Sequence, residues 1–156
     1  MGKESNLLFL LRVAMGWLMF YAGITKVLDP EWSAAGYAVN ASTLSGLYEW
    51  LASPANLGWI NFVNEWGLTL LGISLILGIG VRLSSTLGAV LMLFYYFPIL
   101  EFPYAGEHSY IVDEHIIYAL VLAYFAAVRA GRTFGLEEWF ARTFTGRWPK
   151  FQRIWG

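Results

Sequence analysis

The chain has 156 residues and a net charge of −1, and hydrophobic residues make up 58% of it while charged residues make up only 13%. Soluble domains carry about 25% charged residues, so this composition excludes an ordinary soluble protein and indicates an integral membrane protein whose main partner is the lipid bilayer. The absence of cysteine excludes thiolate catalysis, disulfide exchange and iron–sulfur clusters within this chain. Nothing in the charge indicates nucleic-acid binding.

Four apolar segments follow one another along the sequence, at residues 7–28, 57–81, 83–100 and 111–128. Each is about 18 to 25 residues long, which matches a hydrocarbon core of roughly 30 Å at about 1.5 Å per residue. The sequence therefore predicts an all-α, transmembrane four-helix bundle, with residues 1–156 forming a single membrane domain.

The basic residues predict the orientation of the bundle. Lys and Arg in short loops resist translocation, and they lie between spans two and three and after span four. These residues are Arg82, Arg129, Arg132, Arg142, Arg147, Lys150 and Arg153. The segments 29–56 and 101–112 contain acidic residues but no Lys or Arg. We therefore expect a multi-pass protein of the cell membrane with both termini in the cytoplasm.

The first span carries two cations on one helix face. Arg12, Gly16, Gly23 and Lys26 align because fourteen residues at about 100° each return to within about 40° of the start. Glycines let a neighbouring helix approach closely, so this face is predicted to look into the bundle. An alternative for Arg12 is that its side chain snorkels to the cytoplasmic head groups.

The long outer segment 29–56 is rich in aromatic and aliphatic residues. Leu44, Leu47 and Leu51 follow helical spacing, and Trp32 and Tyr37 precede them. This pattern is typical of a short interfacial helix or a lid that lies on the membrane.

The second span has a polar stripe. Asn61, Asn64, Glu65 and Thr69 fall at i, i+3, i+4 and i+8 on an otherwise apolar helix. The third span is uncharged, and we expect Tyr95, Tyr96 and Pro98 near its outer end to form an aromatic belt and a kink.

The fourth span begins with the triplet Asp113, Glu114 and His115. From Ile116 to Val128 there are 13 residues, or about 20 Å of helix, so the bilayer must thin or the triplet must be drawn toward it. Tyr118 shares a helix face with Glu114 and His115. A haem held between His108 and His115 is not expected, because both histidines lie on one segment.

The intramembrane charges meet at similar depth near the outer side. Each such charge costs about 2.5 to 3.5 kcal/mol at a helix centre, so these residues are expected to pair or to line a wet cavity. Lys26 is a plausible counter-charge for Glu65 or Asp113. Mutual compensation and a functional site are both compatible with the pattern.

The tail, residues 131–156, is predicted to be an amphipathic helix on the cytoplasmic lipid surface. Leu136, Trp139, Phe140 and Phe144 form a stripe at i, i+3, i+4 and i+8 among arginines. Trp148, Phe151 and Trp155 extend this aromatic anchoring or dock a partner.

Three stretches resemble the DoxX family, which includes the DoxD-like large subunit of thiosulfate:quinone oxidoreductase. They are LLRVAMGWLMFYAGITKVLDP, NEWGLTLLGISLILGIGVRLSS and VDEHIIYALVLAYFAAVRAGRTFGLEEW. The family pattern implies importance for Arg12, Gly16, Gly23, Lys26, Glu65, Arg82 and His115. It also implies the membrane subunit of a quinone-linked oxidoreductase, related to thiosulfate or redox stress.

The resemblance further implies quinone as a diffusible acceptor, and we expect no covalently bound cofactor and no metal. The expected partner is a second oxidoreductase subunit or another copy of the chain. Under this interpretation Lys26 and Arg12 hold an anion or a quinone carbonyl, and Glu65 carries protons. Asp113, Glu114 and His115 exchange those protons with the outer aqueous side. The remaining candidate binding residues are Asn61, Asn64, Trp66, Tyr95 and Tyr118, the last three as walls of a flat slot.

Two alternatives remain open. The chain could be a non-catalytic membrane scaffold whose charged cluster fixes helix packing and whose tail or outer loop docks a soluble partner. It could also be a small transporter or proton path, although it lacks an inverted repeat. The acidic outer face argues against binding of a thiosulfate dianion.

Overall fold

The computed structural model describes residues 2–106, 108–140 and 142–143, and within them the regular structure is helical. The prediction of an all-α fold is confirmed. The helices are α1 (Lys3–Val27), α2 (Ala35–Val39), α3 (Ser45–Leu51), α4 (Leu57–Leu77), α5 (Val81–Ile99), α6 (Glu114–Val128) and α7 (Glu137–Phe140), with a 3₁₀ turn at Ala130–Arg132 between α6 and α7.

Three of the described helices, α1, α4 and α5, are long and apolar enough to cross a membrane. The fourth, α6, is equally apolar but has only 15 residues, or about 22 Å, which confirms that this span is short. It begins at Glu114 and not at the predicted residue 111, because Asp113 caps its amino end. The α4 helix ends at Leu77 and not at 81, since Gly78 and Gly80 adopt positive φ angles that turn the chain into α5.

The α1 and α4 helices pack closely against each other through glycines. A Cβ atom on Gly16 would lie 2.9 Å from the Ile76 amide nitrogen, and one on Gly23 or Gly72 would overlap the backbone of the facing helix. Arg12, Gly16 and Gly23 are buried, so the predicted inward face of α1 is confirmed.

The α5 and α6 helices form the second pair, and α4 and α5 join the two pairs. The core lies where the four helices meet. Its most buried members are Met19, Leu68, Leu71, Leu75, Val81, Met92, Leu122, Phe125 and Ala130. Since α1 packs mainly on α4 and α6 mainly on α5, a cleft remains between α1 and α6.

We name the two ends of the bundle by the cations of α1. At the Lys26 end, α2 and α3 cover the carboxyl end of α5. Tyr48 donates a hydrogen bond to the Phe94 carbonyl at 2.8 Å, and Ser42 N–H donates to the Pro98 carbonyl at 2.8 Å. The outer segment contains two short helices, in which Tyr48 is buried while Leu44 and Leu47 are exposed. That the exposed leucines lie on the membrane stays a prediction.

At the Arg12 end, the chain after α6 folds back onto the turn between α4 and α5. Arg12 is fully buried and donates to the carbonyl oxygens of Leu75, Ile76, Thr133 and Phe134. The alternative that Arg12 snorkels to head groups is therefore wrong, because its guanidinium is bound to backbone inside the protein.

Only the start of the predicted amphipathic tail lies within the described residues. There, Leu136 and Trp139 are exposed and Glu137 is buried, which agrees with a two-sided segment. The predicted anchors Phe144, Trp148, Phe151 and Trp155 lie outside the described residues.

Candidate functional site

The cleft between α1 and α6 has a volume of about 510 Å³ and brings together several of the predicted residues near the Lys26 end. Aromatic and aliphatic side chains make up most of its lining. The lining residues are Trp17, Leu18, Met19, Tyr21, Ala22 and Lys26 from α1, Leu68 from α4, Met92 and Tyr95 from α5, and Glu114, His115 and Tyr118 from α6. Its volume falls in the range of about 300 to 1,000 Å³ that is usual for small-molecule sites.

Lys26 reaches the cleft between two aromatic rings. Its Nζ atom lies 4.9 Å from the centre of the Trp32 ring and 5.4 Å from that of the Tyr95 ring. Among the described residues, no carboxylate oxygen comes within ion-pair distance of this ammonium, and none accepts a hydrogen bond from it. Lys26 thus makes no direct ion pair with Asp113 or Glu65, and Glu65 acts on it as a counter-charge from farther away.

Asp113 pairs with His115 within its own turn of chain. Its Oδ2 atom lies 2.5 Å from His115 Nδ1, and its Oδ1 atom accepts a hydrogen bond of 3.1 Å from Ile116 N–H. One carboxylate thus caps α6 and orients the imidazole. This leaves His115 Nε2 as the ring nitrogen that can serve a ligand in the cleft.

Glu114 occupies the exposed first turn of α6, where the helix dipole favours a negative charge. The imidazole of His115 stands edge-on to two phenol rings, with centroid distances of 5.8 Å to Tyr95 and 6.5 Å to Tyr118. The three residues of the triplet therefore differ in role: Asp113 orients the imidazole, Glu114 is exposed, and His115 packs against the aromatic rings of the cleft.

Tyr95 forms the fixed wall of the cleft. Its hydroxyl donates to Asn64 Oδ1, and its backbone carbonyl accepts a hydrogen bond from the Tyr37 hydroxyl of α2. Burial raises the pKa of Tyr37 to about 12, with a further contribution from Asp113, so this phenol stays protonated and remains a donor. Asn61 Oδ1 accepts a hydrogen bond of 3.0 Å from Ala34 N–H. Both asparagines of the α4 stripe thus hold neighbouring groups in place.

Three predicted residues lie away from the cleft. Arg12 is at the opposite end of α1, bound to backbone carbonyls. Trp66 is 40% exposed on α4 and does not line the cleft. Glu65 is half-buried on α4 and is not among the residues that line the cleft. Asn64 and Thr69 of the α4 polar stripe are buried, but the neighbouring Leu68 is the residue that lines the cleft.

Sequence reasoning missed the aromatic residues of α1 and of the chain that follows it. Trp17 and Tyr21 lie four residues apart, so they share a helix face, and both line the cleft. Trp32 covers the Lys26 ammonium from the segment after α1. The spacing of Trp17 and Tyr21 was a usable signal, whereas nothing in the sequence places Trp32 over Lys26.

Two further cavities are apolar. One, of about 190 Å³, lies beneath α2 and α3 and shares Tyr95 with the cleft. The other, of about 650 Å³, runs between α4 and α5 past Gly67, Leu70 and Leu87. Neither combines an unbonded cation with an imidazole as the α1/α6 cleft does.

The model of the DoxX family matches residues 7–99, which is more than half of the chain. This range covers α1 from its second turn through α5, including Arg12, Lys26, Glu65 and Tyr95, and it ends before the Asp113–His115 pair. No curated protein and no solved structure matches the sequence.

Proposed function

The chain belongs to the DoxX family, and we propose that it is the membrane subunit of a quinone-linked oxidoreductase that holds the quinone head group in the cleft between α1 and α6. The observation that carries this proposal is that two different hydrogen-bond donors, an ammonium and an imidazole, lie in one cleft lined by aromatic side chains. Lys26 and the Asp113-oriented imidazole of His115 line the same apolar slot.

The residues of the cleft fit a quinone by shape and by chemistry. Flat rings stack on aromatic side chains such as Trp17 and Tyr118, and quinone carbonyls accept hydrogen bonds from an ammonium or an imidazole N–H. The slot lies among helices that we expect to be in lipid, where an apolar quinone is dissolved. A diffusible quinone would therefore reach the cleft without crossing water.

When bound, the quinone would accept two electrons and two protons, and the electrons would come from a partner redox subunit. In this proposal His115 supplies a proton from Nε2, while Asp113 stabilises the imidazolium through Nδ1. Glu114 is exposed beside it and returns a proton from water to His115 after each transfer, so that His115 supplies both protons in succession. Glu65 contributes a charge near Lys26 in place of a direct contact.

The proposal places the Lys26 end on the outer side of the cell membrane and both termini in the cytoplasm, as the distribution of basic residues favours. We assign Arg12 a structural role, because its described contacts are backbone carbonyls and the ring of Phe9.

The test is a titration of the purified chain, in neutral-lipid nanodiscs, with a short-chain quinone while tryptophan fluorescence is recorded. We expect saturable quenching in the wild type and at least about tenfold weaker binding in His115→Gln, the loss of one charge-assisted hydrogen bond. His108→Gln is the matched control, because His108 is exposed and does not line the cleft.

The origin of the signal can be checked with two further variants. Trp17→Phe should remove much of the quenching, since Trp17 lines the cleft, while Trp59→Phe should leave it. Equal quenching loss in His115→Gln and His108→Gln would contradict the proposal. If His115→Gln lowered the melting temperature but left binding intact, the scaffold alternative would be favoured.

A further inference from the structure

We infer that the cleft selects ring ligands that carry an ionised oxygen, and that Lys26 is the residue that sets this preference. The inference rests on the proposed function, because it names the class of quinone that the same cleft would take. It follows from the aromatic rings that surround the Lys26 ammonium and from the lack of a hydrogen-bond acceptor for it among the described residues.

The Lys26 ammonium has three N–H donors, and within the described part of the chain none of them meets an acceptor. Its close neighbours are the faces of the Trp32 and Tyr95 rings. Those faces attract a cation but cannot replace a hydrogen-bond acceptor. A half-buried ammonium in this condition favours a ligand that brings a charged oxygen.

The charges that face Lys26 leave it available for a ligand. Asp113 on the loop before α6 is engaged by His115 and by the amino end of α6. Glu114 on α6 lines the same cleft, but it is exposed at the first turn of the helix, so water screens its charge. Glu65 on α4 acts from beyond ion-pair distance and does not line the cleft. Of these four charged side chains, Lys26 is therefore the one whose charge is least neutralised by a neighbour or by water.

The position of Lys26 also limits the shape of the ligand. The ammonium stands at the polar end of a slot whose walls include Tyr21, Tyr118 and His115. An oxyanion attached directly to a flat ring can meet the ammonium while the ring stacks between these walls. A neutral quinone offers carbonyl oxygens there, which form weaker hydrogen bonds than a charged oxygen.

The experiment compares 1,4-naphthoquinone with 2-hydroxy-1,4-naphthoquinone, whose hydroxyl is ionised at neutral pH. Both are titrated into the full chain in nanodiscs of zwitterionic lipid. We expect the ionised ligand to bind at least about tenfold more tightly to the wild type. Lys26→Met should abolish the preference, and Lys26→Arg should keep it. Lys3→Met is the matched control, because Lys3 is exposed at the other end of α1.

The outcomes separate the inference from the proposed function. Equal saturable binding of both ligands to the wild type would overturn the inference and leave the quinone site intact. Saturable binding of neither ligand would overturn the proposed function itself. Loss of the preference on adding anionic lipid would show that a lipid head group occupies Lys26, which also overturns the inference. If Lys26→Met fails to fold, the wild-type comparison still tests the preference itself, and a Lys26→Arg protein that loses the preference would overturn the role of Lys26.

Discussion

Two cations on one face of α1 do different things because their side chains differ. The planar guanidinium of Arg12 presents several donors in a fixed fork, which suits a set of fixed backbone carbonyls. It links the end of α4, at Leu75 and Ile76, to the loop at Thr133 and Phe134. The compact ammonium of Lys26 has no such set and remains directed to the cleft.

Replacing Arg12 therefore tests a structural role. Arg12→Met leaves four buried or partly buried carbonyls without their donor, so we expect a loss of about 2 to 4 kcal/mol in the free energy of unfolding. Arg12→Lys should lose part of this, since an ammonium cannot span both groups of carbonyls. Thermal unfolding in detergent measures the change, and exposed Arg142→Lys is the control. A stable Arg12→Met protein would contradict this role.

The burial of Glu137, at the Arg12 end of the bundle, predicts that the stability of the fold depends on pH. Burial raises the pKa of Glu137, and Arg132, Arg129 and Arg12 only partly oppose this. Because the folded state then binds the proton more tightly than the unfolded state, ionisation lowers stability as pH rises through the unfolded-state and then the folded-state pKa. The loss is complete only above the folded-state pKa.

Glu137→Gln removes that ionisation. We expect its melting temperature to exceed that of the wild type by about 2 to 4 °C at pH 7.5, the shift that about 1 kcal/mol gives at this size, and by less at pH 4.5. Glu138→Gln is the control, because the Glu138 side chain is 65% exposed. The same difference from wild type at both pH values would rule out the ionisation account.

At the scale of elements, the α1–α4 pair depends on glycines that admit no side chain. Gly72→Ala would drive a methyl group into the Phe20 backbone, whereas at Gly67 in the same helix the nearest atom to a new Cβ would be 4.0 Å away. We expect Gly72→Ala to destabilise by about 1 to 3 kcal/mol and Gly67→Ala to be neutral or slightly stabilising. Thermal unfolding of the two variants decides this, and equal effects would contradict it.

Helix existence was predictable, and helix ends were less so. The apolar runs and the inward face of Gly16 and Gly23 follow from composition and helical spacing. The start of α6 depends on the side chain of Asp113 acting as a cap, which a hydropathy pattern does not show. The split of the outer segment into α2 and α3 depends on Tyr37 and Tyr48 reaching α5, a contact across more than 40 residues of chain.

At the scale of the whole molecule, the site was predictable in part. The charges of α1 and α6 were expected at similar depth, and Lys26 and His115 do share a cleft. The ion pairs within that group were not predictable from the sequence, because Asp113 binds its neighbour His115 and not Lys26. The far contacts of Arg12 were also hidden, since Thr133 lies 121 positions away in the chain.

The orientation of the protein in the membrane can be tested by labelling single introduced cysteines. The chain contains no cysteine of its own, so only the introduced residue can react. A single cysteine at Ser45, on the Lys26 end, should react with a membrane-impermeant maleimide added to intact cells. A single cysteine at Arg142 should react only after permeabilisation. Both positions are exposed, so burial does not confuse the comparison. The reverse pattern would contradict cytoplasmic termini.

Photo-crosslinking of a photoreactive quinone to the chain in lipid, followed by mass spectrometry of its peptides, tests directly whether quinone binds in the cleft between α1 and α6. A quinone in the cleft should label residues 17–26 of α1 and 114–118 of α6, and excess unlabelled quinone should prevent the labelling. Competed labelling confined to the groove between α4 and α5, around Leu70 and Leu87, would contradict the account.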